Sequence, residues 1–200
     1  VAIGTVNGFG SVIVDGIRFD DRDTVAVSEI GPGQDVPTEV RLGHRVEVDF
    51  TQTGTASRLR VESALVGPIA NVSSAGHFVV LGQAVFVNDN PATGPVTQLG
   101  GGYVSAADVV AGDVVEVHGL LIAQGSGWAI QATRIDRAGS LPAFLKVTGV
   151  IDQLGSGGFK LGALTLNVSG AAVLPAGRSL TNGQIVAVLG QAGSLNTGNA

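Results

Sequence analysis

Apolar and polar residues alternate with a period of two along much of the chain. The alternation is strict in Arg45-Val-Glu-Val-Asp49 and in Arg58-Leu-Arg-Val-Glu62, and the same period is read through Val12–Val14 and Ile17–Phe19. A strand sends successive side chains to opposite faces, so this pattern predicts β-strands with one side packed inward and the other wet. No segment keeps a helical period beyond the few residues from Ser105 to Val110, which leaves room for one short helix before Gly112 and for no long ones.

The strand pattern recurs. The first unit has Gly4-Thr-Val, Gly10 to Phe19, Val40 to Val48 with Gly43 inside it, and Ala56-Ser-Arg-Leu59. The second has Gly67-Pro-Ile, Gly76 to Phe86, Val109 to Val117 with Gly112 inside it, and Ala132-Thr-Arg-Ile135. The third has Gly149-Val-Ile, Gly158 to Leu166, and Leu180 to Val188 with Gly183 inside it, and stops before any counterpart of the Ala-x-Arg-Leu segment. After Val188 the run Leu189 to Ala200 is too rich in Gly and Asn to predict a strand. Recurrence of this kind points to repeated supersecondary units, which we place at residues 1–66, 67–142 and 143–200. Gly43, Gly112 and Gly183 each precede the strongest strand of their unit, where a tight turn with positive φ suits glycine. The valines three and five residues after each of them are expected to face inward. Five or so strands in about 60 to 80 residues, with a longer connection between the third and fourth, predict an all-β fold of small tandem OB-like Greek-key barrels, the third incomplete. An incomplete barrel leaves an edge of unpaired backbone groups, expected to meet the second unit, another copy of the chain, or residues beyond Ala200.

The pattern Gly-x-Val, Gly-x-Val-x-Val-x-Gly-x-x-Phe, Leu-x-x-Gly-x-x-Val-x-Val and Ala-x-Arg-Ile resembles tandem bacterial repeats of the domain-of-unknown-function family 5666. The resemblance implies OB-like β modules in exported bacterial proteins, at the periplasm or cell surface, and carries no activity or functional residue with it.

Composition narrows the chemistry. The 200 residues include no Cys and no Met, 31 Gly, and 11 basic against 16 acidic groups, for a net charge of −5. Without cysteine there is no disulfide framework, thiolate nucleophile or zinc-thiolate site. The missing Met, even at position 1, leads us to expect a processed or engineered fragment whose targeting signal lies outside it. Apolar runs are interrupted well short of the roughly 18 residues of a membrane span. The negative charge argues against nucleic acid as a partner; only residues 143–200 are positive, with three basic groups and one acidic.

Candidate chemistry is sparse. His44, His77 and His118 fall at three different places in the repeat frame, a turn, a loop entering a strand and a strand end, so they read as turn or surface histidines and no metal is expected. Glu116 and His118 share a strand face, but no nucleophile accompanies them. Asp20-Asp-Arg-Asp23 has Arg22 in its middle and lacks the glycine and distal glutamate of a calcium loop, so it reads as a solvated turn. Arg41, Arg45, Arg58 and Arg60 share their strands with Glu47, Asp49 and Glu62, which predicts cross-strand ion pairs. Gly100-Gly-Gly102 and Gly155-Ser-Gly-Gly158 are loops without the signature of a phosphate cradle. In an OB barrel the loops joining strands one to two and four to five flank the usual ligand face. In the second unit these hold His77 and Trp128, with Tyr103 in the variable connection. Those three are the candidate ligand-binding residues, for a sugar or peptide stacked on an aromatic ring. The expected function is a non-enzymatic structural or protein-interaction module without cofactor, able to self-associate through the third unit's edge. Recognition of a cell-surface glycan or a peptide is the alternative.

Overall fold

The structure, a computed structural model, describes residues 1–195. The run from Leu189, read as strandless, holds strand through Gln191, where it pairs with residues 144–146; from 196 onward that expectation lies outside the described residues. The described residues are built of β-strands joined by turns, with two one-turn 3-10 segments, Pro91–Thr93 and Ala106–Asp108. The second is what became of the short helix read before Gly112: Ser105 is its N-cap, the Asp108 carboxylate accepts the Val104 and Ser105 N–H groups, and it ends after a single turn at Val109.

The first sheet contains β1 (Ala2–Gly8), β2 (Val12–Val14), β3 (Ile17–Phe19), β4 (Ala26–Gly31), β5 (Gln34–Pro37), β6 (Arg45–Phe50) and β7 (Ala56–Val61). Its order is β3-β2-β1-β6-β7-β4-β5. β2 and β3 turn through Asp15-Gly16, both at positive φ as a two-residue hairpin with right-handed twist requires. A single parallel bridge between Asp20 and Thr55 links the end of β3 to the start of β7, making a partial ring. Val6, Val12, Phe19, Val46, Val48 and Leu59 fill it. The wet faces of β6 and β7 carry the expected pairs, with Arg58 at 3.5 Å from Asp49 and 3.7 Å from Glu47.

The second series is β8 (Leu65–Ser74), β9 (His77–Val80), β10 (Gln83–Val87), β11 (Gln98–Gly100), β12 (Val114–Gln124) and β13 (Gly127–Ala138). β8 pairs with β12 through residues 65–68 and with β9 through residues 69–74. β9 pairs with β10, β10 runs parallel to β13, and β13 pairs with β12, so this ring is continuous. The long connection adds β11 parallel to β13, in the position that β4 takes beside β7.

The third series is β14 (Phe144–Gly155), β15 (Gly158–Leu161), β16 (Leu164–Asn167) and β17 (Ile185–Gln191). β14 pairs with β15 at one end and β17 at the other, and its residues 146–147 also pair with β8, fusing the second and third series into one sheet. The β15–β16 turn docks on the β9–β10 turn: Ala163 N–H donates to Gly82 O and Gln83 Nε2 donates to Leu161 O at 2.5 Å. One apolar cluster runs through both series, from Leu65 and Val115 to Leu161 and Leu164. Among the described residues nothing occupies the place that β13 holds in the second ring, so β16 has only β15 and β17 only β14 as neighbour.

Gly43, Gly112 and Gly183 take the same turn conformation, with φ of 82°, 90° and 84°. After the first two, Val46, Val48, Val115 and Val117 are fully buried. After the third, Val186 and Val188 point to the apolar cluster but are only half-buried, while Ile185 and Ala187 between and beside them are exposed.

Candidate functional site

Two places carry candidate features: the open edge of the third ring, expected from its missing last strand, and the seam between the first and second rings, which no sequence motif marked.

The seam forms where the turn before β6 lies on the outer face of β12 and β13. Thr133 Oγ1 donates to Gly43 O at 2.6 Å and Arg134 Nη1 donates to Leu42 O at 3.1 Å. A side chain on Gly43 would collide with the Thr133 carbonyl, so the docking needs glycine there for contact as well as for its φ. His44 follows, 6% exposed, and its ring lies 4.5 Å from that of His118, which is fully buried. The expectation of turn or surface histidines fails for these two. Seen as a bare strand end, His118 should be wet; the first ring covers it.

Asp136 on β13 completes the group, with one ligand-capable atom from each of His44, His118 and Asp136 within 4.8 Å of the others. His44 Nε2 is 3.8 Å from Asp136 Oδ2. Arg134 grips the same carboxylate through Nε and Nη2, at 2.5 and 2.6 Å. Glu116 stands directly opposite Asp136 in the β12–β13 register, and its Oε1 is 3.3 Å from His118 Nε2. Burial works to raise the Asp136 pKa, but the facing His44 and the Arg134 bonds outweigh it and hold the carboxyl well below the usual range. Burial likewise pushes against the charged form of Glu116, and the His118 contact overcomes it, leaving that pKa lowered. His44 is held below its ordinary value, mainly by burial, so its neutral imidazole is favoured.

His118 Nδ1 lies 2.9 Å from Glu62 O, a carbonyl that can only accept, so Nδ1 carries the proton. Its Nε2 is buried and without a hydrogen-bond partner. A buried polar atom left without a partner costs about 1–3 kcal/mol. Glu62 ties all three series together, because its N–H donates to Arg45 O and its carboxylate takes Lys146 Nζ at 2.8 Å. The Thr133 hydroxyl, beside the cluster, is donated to Gly43 O.

The candidate ligand-binding residues are not assembled into one platform. Tyr103 is drawn into the core at 6% exposure, its hydroxyl donating to Asp113 at 2.7 Å and Arg137 lying over its ring, so it offers no open stacking face. Burial, and then the Asp113 contact, push its pKa far up. His77 is exposed and stacks on Phe86. Trp128 is 48% exposed beside the β12–β13 turn. The ladder sets Phe86 against Gln131, three residues along β13 from Trp128, roughly 10 Å. By strand alternation Trp128 shares the face of the buried Ile130 while His77 lies opposite the buried Phe78. A groove of about 410 Å³ between the first ring and the 91–98 loop is lined by Thr5, Asp15, Leu42 and Pro95 among others, and by none of those three. In the acidic cluster, Asp20 gives its carboxylate to Arg22, whose hydrogen bonds pull the pKa to about 2, and Asp21 accepts the Val12 N–H.

Residues 66–136 match the family model of a domain of unknown function, DUF5666. No curated protein and no solved structure matches the chain. The DUF5666 segment starts within β8 and ends on Asp136 itself, so it takes in the continuous ring. It contains Glu116, His118 and Asp136, whereas His44 and Glu62 come from the chain ahead of it. The seam is therefore made by the DUF5666 ring together with what packs on it.

Proposed function

We propose that the protein is a non-enzymatic structural and protein-interaction module of an exported bacterial protein, built of OB-like rings, whose open third ring accepts an extended segment of another polypeptide. The observation that carries this reading is that among the described residues β16 and β17 each pair on one side only, with Val186 and Val188 half-buried where their counterparts in the other rings are fully buried. An unpaired edge beside an incompletely covered apolar face is a template for strand addition. By analogy with β13, the incoming segment runs parallel to β16 and antiparallel to β17. The exported setting rests on the family resemblance, and cell fractionation of the full gene product should find it outside the cytoplasm.

Amide exchange tests the reading. In a monomer verified by light scattering, residues 185–191 should exchange faster than 114–124, and a peptide with the sequence of residues 127–138, offered as a surrogate closing strand, should slow them. Equal protection in the free monomer would mean that the third ring closes on its own, and would overturn the proposal. The rival reading, glycan or peptide recognition, retains the half-exposed Trp128 and the exposed His77, which lie apart. Titrating Trp128 fluorescence with cell-wall oligosaccharides should leave it unchanged; a saturable response favours the rival.

A further inference from the structure

We propose that the seam is a site for a divalent transition-metal ion of the zinc class, with His118 Nε2 and an oxygen of Asp136 as principal ligands, His44 Nε2 as the third and Glu116 closing the shell. Four observations converge on it. His118 Nε2 is buried, without a hydrogen-bond partner and 3.3 Å from Glu116 Oε1. The opposite nitrogen of that ring donates to a backbone carbonyl, which is how metal-bound histidines are oriented and kept in the right tautomer. Asp136 is fixed by Arg134 through one hydrogen bond to each oxygen, leaving each oxygen a further lone pair. Glu116 faces Asp136 across the ladder and lies 3.3 Å from His118 Nε2, which sets a second carboxylate beside the cluster.

The donor set selects the metal. Two imidazoles and two carboxylates suit zinc, cobalt, nickel or copper, whereas calcium and magnesium prefer oxygen alone. Tetrahedral ligation at about 2.0–2.1 Å brings ligand atoms to roughly 3.3–3.5 Å from one another. The His118–Glu116 separation of 3.3 Å already meets that, and the His44–Asp136 separation of 3.8 Å needs a small closure. His44 is the weaker ligand for a stated reason: its Nδ1 accepts the Arg41 N–H at 3.2 Å, so ligation through Nε2 moves its proton to Nδ1 and displaces that amide. Arg41 and Leu42 are exposed and can yield.

The test is titration of EDTA-dialysed protein with Zn²⁺ and Co²⁺, followed by calorimetry and by the visible absorption of tetrahedral Co²⁺. One equivalent should bind and raise the thermal midpoint, while Ca²⁺ and Mg²⁺ do neither. His118→Asn should weaken binding by at least roughly 100-fold and His44→Asn by about 10-fold, with Asp136→Asn between them. His118→Asn removes a core side chain, so the milder His44→Asn protein, checked for an unchanged metal-free circular dichroism spectrum, gives a second reading through its altered Co²⁺ bands. Wild-type protein that binds no Zn²⁺, or binding left intact by both histidine substitutions, overturns the proposal. The His118–Glu116 contact is then an ion pair only.

Discussion

At the scale of single residues, the three equivalent glycines separate two demands that coincide in one of them. All three need positive φ, but an added Cβ meets nothing at Gly183, while at Gly43 it runs into the Thr133 carbonyl and the Arg134 side chain. Gly183→Ala should therefore cost about 1–2 kcal/mol, the strain of a left-handed alanine. Gly43→Ala should cost at least about 1 kcal/mol more, because it also pushes the first ring off the Thr133 and Arg134 hydrogen bonds. Urea denaturation of the two variants decides it. Equal losses would show that the turn before β6 is not pressed against β13 as described. The sequence could announce the turn, since glycine before a Val-x-Val strand has a local cause. It could not announce the contact, which joins residues some ninety positions apart.

At the scale of elements, the same valine register serves rings in different states of closure. Val117 is buried completely and Val188 only in part, though each is the fifth residue after its turn glycine. Val117→Ala should cost about 2 kcal/mol and Val188→Ala about 1 kcal/mol or less, since the second leaves a smaller unfilled volume and removes less buried surface. Equal costs in chemical denaturation would mean that β17 is covered as fully as β12. Strand positions were legible because period-two alternation is local, and the cross-strand ion pairs followed from it. The seam was not, for a physical reason. His44 aligns with Asp113 and Gln184 in the repeat frame and Asp136 aligns with Arg60, so comparison between units hides them. A face that packs against a different neighbour in each unit places its functional groups outside the repeat. The one local signal was Glu116 and His118 two residues apart, and it lacked the β12–β13 register that sets Asp136 opposite. Tyr103 misled in the converse way: a lone aromatic in a long connection looks available until Asp113 and Arg137 close over it.

At the scale of the whole molecule, the apolar interior is divided unevenly. The first ring has its own cluster, centred on Val12, Val46 and Leu59, whereas a single cluster runs through the second and third series. Between them the seam is made of hydrogen bonds and paired charges, which couple stability weakly compared with a shared apolar core. The first ring is also the less protected body, closed by one isolated bridge and showing Ile3, Phe9, Ile17 and Val25 to solvent. It should unfold first, as a separate cooperative unit. Circular dichroism and Trp128 fluorescence separate the two events, because the only tryptophan belongs to the second ring. Circular dichroism should show an early transition to which Trp128 is blind, and amides of β6 should exchange faster than those of β12. Zinc enters the same scheme through His44, the one proposed ligand carried by the first ring. Saturating zinc should raise the midpoint of the early transition in wild-type protein by mass action and leave it unmoved in His44→Asn. Coincident curves from both probes would show instead that the seam transmits enough free energy to make the rings one folding unit.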